Sequence, residues 1–437
     1  MRGAQEVEWT DPWSALRTLD GGEWLALLDS GGEPDERSRW SYLCYNPVET
    51  LVVRGRQVRR NGQAVSGDPW GHLRNMQARI PASGASADAP PFDGGVIGLA
   101  SYEAGMFAER TPCRHESPAP TLIAASYDSV IAFDRLERRC FRSGPPPGLR
   151  PHAHAVPQFK TPLRFLPDME RAQWLDAVRE VIRLIGEGDI FQANVTMRWK
   201  ANAPAAFDEI AAYGALREGS PAPFGAYLRS PGFSLLSASV ERFLSLSAGG
   251  RVETRPIKGT APPGTNHEET AAYAAMLAQD EKENAENLMI TDLMRNDIGR
   301  VCAIGSVTVP QLCVVERFPH LHHLVSAIQG ELRPGVDAID LLRATLPPGS
   351  VTGAPKRRAM EIIDEVEVSA RGAYCGSVFR IGVDGAMDSS VVIRSVERAG
   401  NTLRIGAGGG ITWLSDPERE YEEMLLKAAP ILSVFEE

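Results

Sequence analysis

Over the first 160 residues the apolar positions come in short runs, as in ETLVVRG (49–55), GGVIGLASYE (94–103) and SVIAFDR (129–135), separated by glycine- and proline-bearing segments. Such runs predict strands joined by irregular connections. From about Asp168 the period lengthens. Trp174, Val178, Val181, Ile182 and Ile185 recur at helical spacing and predict a helix. FGAYLR (224–229) and FSLLSAS (233–239) read as consecutive strands, as do GSVFRIGVDGAM (376–387), SSVVIRSVERA (389–399) and TLRIGAG (402–408). Consecutive strands joined by Gly, Asp and Asn turns predict antiparallel pairing and an α+β fold rather than a doubly wound sheet. Pro/Ala/Ser/Gly-rich stretches run through 80–91 and through SGPPPGLRPHAHAVP (143–157). The second predicts a boundary between a strand-rich N-terminal unit, 1–160, and a C-terminal unit, 161–437. No internal repeat is visible.

Composition narrows the classes. No run of about 18 apolar residues occurs, so no membrane span is expected. MRGAQEVEWTDPW lacks the apolar core of a secretory signal. Six cysteines are scattered without CxxC pairs, the pattern of reduced thiols in a cytoplasmic protein. A net charge of −10 argues against a general nucleic-acid binder, so contacts to an anionic ligand must be local.

Two carboxylate groups stand out. DEKENAENLMITDLMRNDIG (280–299) has helical apolar spacing through Ala285, Leu288, Met289 and Leu293, with Glu283 and Glu286 three apart on one face. SDPEREYEEMLLKAAP (415–430) begins with Asp416 as an N-cap and Pro417 at the first helical position, and Glu420, Glu423 and Lys427 share a face. Each alone is a solvated helix surface. Together they offer the hard oxygen ligands that suit Mg²⁺ beside an anionic substrate. LPPGSVTGAPKRRAMEIIDEVE reads as a Gly-rich loop entering a helix, with Pro355 in its first turn and an apolar face of Ala359, Ile362, Ile363 and Val366. Amide groups at such a start attract anions, though the P-loop spacing is absent. His320, His322 and His323 cluster without a completing zinc set, leaving one acid/base histidine or a packed core histidine. Lys258 in RPIKGT is by itself a turn lysine.

In this order GDIFQANVTMR, SASVERF, RPIKGT, ENLMITDLMRNDIGRV, HHLVS, GSVTGAPK, YCGSVF, VVIRS, GAGGGIT and DPEREYEEMLLKA resemble the chorismate-utilising enzymes: anthranilate and aminodeoxychorismate synthase components I and the isochorismate and salicylate synthases. LALLDSGG, RWSYLCYNP and FDGGVIGLASYEAG extend the likeness over nearly the whole chain. The resemblance implies a two-lobed fold of large antiparallel sheets flanked by helices, with the substrate in a C-terminal cleft. It implies Mg²⁺ held directly by Glu286 and Glu423, with Glu283 and Glu420 acting through water. Arg394 and Tyr374 would hold the enolpyruvyl carboxylate, with Lys427 and the backbone of Gly408, Gly409 and Gly410 adding contacts. Glu241 would be the general acid and His323 would assist at the ring. Ser350 and Thr352 would line the site.

Two positions divide the family. The water-using isochorismate and salicylate synthases carry a lysine where Gln192 stands, so the resemblance implies ammonia as the incoming nucleophile. Anthranilate synthases usually read PIAGT; Lys258 instead matches the aminodeoxychorismate synthases, where the lysine is regarded as a nucleophile. Anthranilate synthase component I is the nearest alternative, followed by a non-catalytic chorismate-binding subunit and an isochorismate synthase. Val240 and Phe379 depart from the proline and glycine usual at those positions. LALLDSGG resembles the segment that forms a tryptophan pocket in relatives, which makes tryptophan a candidate ligand. No glutamine amidotransferase domain is visible, so that partner is expected on a separate chain.

Overall fold

Local sequence sets the main elements. The helix expected after Asp168 spans Arg171–Gly186, and the Glu170 amide donates to Gln173 Oε1 at 2.9 Å to hold its first turn. Trp174, Val178 and Val181 are buried on its inner face. The last helix, Pro417–Leu432, starts as its sequence dictates, with Asp416 accepting from the amides of Glu418 and Arg419.

In this computed structural model residues 4–19, 22–80, 89–148, 159, 162–261, 266–318 and 321–436 are described. Among them two twelve-stranded antiparallel sheets form, flanked by helices, which gives an α+β fold. One buried cluster takes Ala26, Tyr42, Ala226 and Leu235 from the first sheet and Ile97, Leu99, Ile123 and Val378 from the second, so the sheets pack face to face. Both sheets mix early and late sequence. Leu25–Asp29 pairs with Phe224–Ser230 in the first, and Gly95–Ala100 with Ser377–Gly382 in the second. The linker expected at 143–157 thus separates stretches that share both sheets; residues 149–158 lie outside the described residues, as do 81–88 of the earlier loop.

Two chain segments cross from one sheet to the other side by side. Phe233–Ser239 belongs to the first sheet and Arg242–Leu246 to the second, with Val240 and Glu241 between them. Antiparallel to it, Met387–Val391 lies in the second sheet and Ser395–Ala399 in the first, with Arg394 in the gap. The single strand expected over 389–399 is therefore broken. No glycine or proline marks the break. Arg394 itself adopts the left-handed backbone, φ 49°, held by its carbonyl accepting from Ala238 N at 3.0 Å.

The helix Glu281–Gly299 is rotated relative to the face its apolar spacing suggested. Leu288 is exposed, while Glu286, Asn287, Ile290, Leu293 and Asp297 are buried. Polar inward partners account for the turn. Asn287 Nδ2 donates to Leu324 O at 3.1 Å, and Lys356 Nζ is buried against Asp297 and the carbonyls of Thr345 and Pro347. Pro355 is the N-cap of Lys356–Val366 rather than a first-turn residue. Phe379 sits in an ordinary strand, its ring over Gly98 across the pair, where a side chain would meet it at 2.5 Å. The six cysteines are free thiols, and no described helix is long and apolar enough to cross a membrane.

Candidate active site

The sheet crossings, the ends of two paired strands and two helix faces converge on one cleft of about 500 Å³. Glu241 and Arg394 come from the crossings. Gly406–Gly410 comes from the strand Thr402–Ile411, which pairs with Gln192–Asn202 so that Asn194 faces Gly410 in register. Lys258 comes from Ile257–Ala261, whose register against Leu321–Glu331 slips between Lys258 and Thr260. Gly259 absorbs that bulge at φ +78°, a conformation that favours glycine, and the extra residue aims Lys258 into the cleft.

Lys258 Nζ lies 3.2 Å from Glu286 Oε2. A Cβ on Gly410 would stand 2.7 Å from Gln192 Nε2, 3.1 Å from Lys258 Nζ and 3.3 Å from Glu286 Oε2, so the missing side chain is what lets these three groups meet. Gln192 is 1% exposed, and neither amide atom has a partner among the described residues. A buried carboxamide left unsatisfied is costly unless a ligand completes it. Gly406 is bare for a similar reason: the Tyr374 ring lies flat against it, 2.3 Å from where its Cβ would be.

The charges are arranged for an anion. Among the described residues Arg394 has no ion-pair partner; it is walled by protein but open to the cleft, and desolvation pulls its pKa down. Glu241 is buried, which pushes its carboxyl up to about 7 against the opposing pull of the Ser350 hydrogen bond and the Lys258 charge. Desolvation also pulls the His323 pKa down, against the hydrogen bond at Gly259.

Four glutamates line one wall with three lysines among them. Lys282 Nζ is 2.9 Å from Glu420 Oε1 and 3.9 Å from Glu286 Oε1, and Lys427 Nζ is 2.7 Å from Glu423 Oε1. Burial raises the Glu283 pKa, with the Glu286 charge adding to it. Among the described residues no three histidine, cysteine or carboxylate groups converge tightly enough to hold a metal unaided. The chemistry nevertheless fits Mg²⁺, which needs only one or two carboxylates with waters and an anionic substrate. An ammonium already bridges two of these carboxylates.

The expected residues Lys258, Glu241, His323, Ser350, Tyr374, Arg394, Gly408, Gly409, Gly410, Lys427, Glu283, Glu286, Glu420 and Glu423 all line this cleft. Gln192 lies one layer beneath, behind Gly410. Thr352 does not reach it: its buried hydroxyl donates to Pro348 O at 2.7 Å and holds the loop instead. Alternation along Leu321–Glu331 separates the histidines, with His322 buried and His323 facing the cleft; His320 is outside the described residues. Asn194 and Lys282 were missed, although Gln192 and Asn194 are two apart on a strand and Lys282 is four before Glu286. A second cavity of about 150 Å³ opens beside Asp29 and Ser30, walled by Trp40, Tyr42 and Phe379 with Arg39, Arg242 and Arg380.

Residues 26–433 match the family model described as chorismate binding enzyme. The chain belongs to that family. It is an enzyme fold shared with relatives of two kinds. The chain is 37% identical to "Aminodeoxychorismate synthase component 1" of Salmonella typhimurium, over 94% of this chain and 93% of the relative. It is 38% identical to "Anthranilate synthase component 1" of Thermus thermophilus, over 94% and 92%. Among solved structures, anthranilate synthase component I from Streptococcus pneumoniae superposes with a TM-score of 0.80 at 30% identity, covering 92% of this chain and 94% of that one. Overall identity places both products equally near. The cleft residues of this chorismate-binding enzyme have to separate them.

Proposed function

We propose that this chain is the chorismate-aminating component of an aminodeoxychorismate synthase, converting chorismate and ammonia to 4-amino-4-deoxychorismate and water. The observation that carries this reading is Lys258 in the cleft, beside Gly410 and the unpartnered Gln192 amide. Arg394 with Tyr374 would take the enolpyruvyl carboxylate, a guanidinium suiting a carboxylate by forked contact. Glu286 and Glu423, with Glu283 and Glu420 through water, would hold Mg²⁺. When bound, that ion supplies Lewis-acid charge at the ring carboxylate.

Lys258 first gives a proton to solvent water; its nitrogen lone pair then forms a bond to ring C2, the double bonds shift, and the C4–O bond breaks. Glu241 gives its proton to the departing hydroxyl, which leaves as water. Ammonia, positioned by the Gln192 amide, then bonds to C4, and the C2–N bond breaks so that its electron pair returns to Lys258. A proton passes from the new C4 ammonium to Glu241 and restores it. Two displacements place nitrogen para rather than ortho. Ammonia would come from a glutamine amidotransferase on a separate chain in the cytoplasm. A separate lyase would carry the product to 4-aminobenzoate for folate. Tryptophan, as structural ligand or inhibitor, would occupy the second cavity.

The test is incubation with chorismate, Mg²⁺ and an ammonium salt, followed by product identification with and without an added lyase. 4-Amino-4-deoxychorismate is expected without the amidotransferase. Anthranilate or isochorismate as the sole product would overturn the assignment.

Glu241 makes a second expectation measurable. A general acid works only when protonated, so at constant free ammonia kcat should fall as pH rises through about 7. Glu241→Gln should lower kcat by about 10²- to 10⁴-fold and remove that limb of the profile. An unchanged profile in the variant would assign the proton elsewhere.

A further inference from the structure

Lys282 has no part in the chemistry above, yet it holds the most central position in the carboxylate wall. It stands in the first turn of Glu281–Gly299, where the helix dipole disfavours a cation, so helix preference does not explain it. Its partners do. Glu420 and Glu286 are the two most buried of the four glutamates, 4% and 5% exposed, and they come from different helices. Lys282 Nζ reaches both, at 2.9 and 3.9 Å. Glu420 Oε1 also accepts from Ser415 Oγ at 2.6 Å, which fixes that carboxylate towards the lysine.

We propose that Lys282 is an internal counter-ion lodged between Glu286 and Glu420, which keeps a divalent cation out of the empty cleft and makes metal binding depend on bound chorismate. This rests on the reading that these glutamates hold Mg²⁺. Four carboxylates, Glu283, Glu286, Glu420 and Glu423, face three ammonium groups, Lys258, Lys282 and Lys427. A divalent ion entering that nearly balanced set meets two ammonium groups already drawn to Glu286. Chorismate brings two carboxylates, and their charge shifts the balance in favour of the metal. Linkage then makes the metal strengthen chorismate binding by the same factor. Lys282 is about one-third exposed, so it has room to swing away when displaced.

Mn²⁺, followed by its electron paramagnetic resonance signal, tests this. Without chorismate, Lys282→Met should bind Mn²⁺ at least about tenfold more tightly than the unaltered chain, allowing for solvent screening of the lost charge. Lys282→Arg should bind like the unaltered chain. Added chorismate, without ammonia, should narrow the difference. Equal or weaker Mn²⁺ binding by Lys282→Met, with matched thermal unfolding, would overturn the counter-ion role. Lys282→Gln serves where the methionine variant does not fold. Measured with chorismate present, Glu286→Gln and Glu420→Gln separate the two ideas: undiminished Mn²⁺ binding in both would sink the metal reading itself. Loss in both, with Lys282→Met unchanged, would sink only the role of Lys282.

Discussion

Lys258→Ala should yield a folded protein whose 4-amino-4-deoxychorismate formation, with ammonium supplied, drops by at least about 10³-fold. The size follows from the role. Removing a nucleophile deletes the first displacement, whereas removing a binding contact would mainly raise KM. The fold should survive, because Glu286 keeps Lys282 at 3.9 Å as a counter-charge. Mass spectrometry gives an independent check. The unaltered chain mixed with chorismate in the absence of ammonia should carry an adduct of chorismate less water on Lys258. Undiminished para-product from the alanine variant would eliminate the covalent step, even if the product assignment stood.

The largest stability effect is expected at Glu367, which lies behind the cleft. Its carboxylate accepts from Arg198 Nη1 at 2.6 Å, Arg371 Nη2 at 2.7 Å, Thr196 N at 2.9 Å and Thr196 Oγ1 at 2.8 Å. Both arginine side chains are 1% exposed. Glu367→Ala strands two buried guanidinium groups and should cost about 3–5 kcal/mol, read from urea unfolding. A loss below about 1 kcal/mol would show that water or local rearrangement compensates. Activity should fall too, because Arg371 donates to the carbonyls of Asn194 and Val351, both on the cleft wall. Burial pushes the Glu367 pKa up, but Arg371 and Arg198 outweigh it and hold it below 4.5. Its stabilisation is therefore present above that value and lost as pH falls through the depressed one.

Much of the site was legible because its residues lie in short segments with strong local character. Asp416 and Pro417 announce a helix start, and the spacing of Glu420, Glu423 and Lys427 follows from it. The family resemblance supplied roles that spacing alone could not. Long-range pairing was not legible. Nothing local to Val391–Ser395 marks a change of sheet, since the break is imposed by the neighbouring segment at Ala238–Glu241. Nor could hydropathy orient Glu281–Gly299, whose inward face is set by hydrogen-bond partners far away in sequence. Thr352 was misplaced for a related reason. A hydroxyl in a Gly-rich loop serves either a ligand or its own turn, and only the turn geometry decides.

The mixed strand order has a consequence for biosynthesis. Ala100 pairs early with Leu122 and Leu25 with Tyr45, but the second edge of each strand waits for Ser377 and for Arg229. At about 5–20 residues per second, a nascent chain emerging from the ribosome spends on the order of tens of seconds with one edge of each of these strands unpaired. Half-made polypeptide thus exposes open β-edges, so chaperone holding during translation should govern the yield of active enzyme in a cell more than the stability of the finished fold.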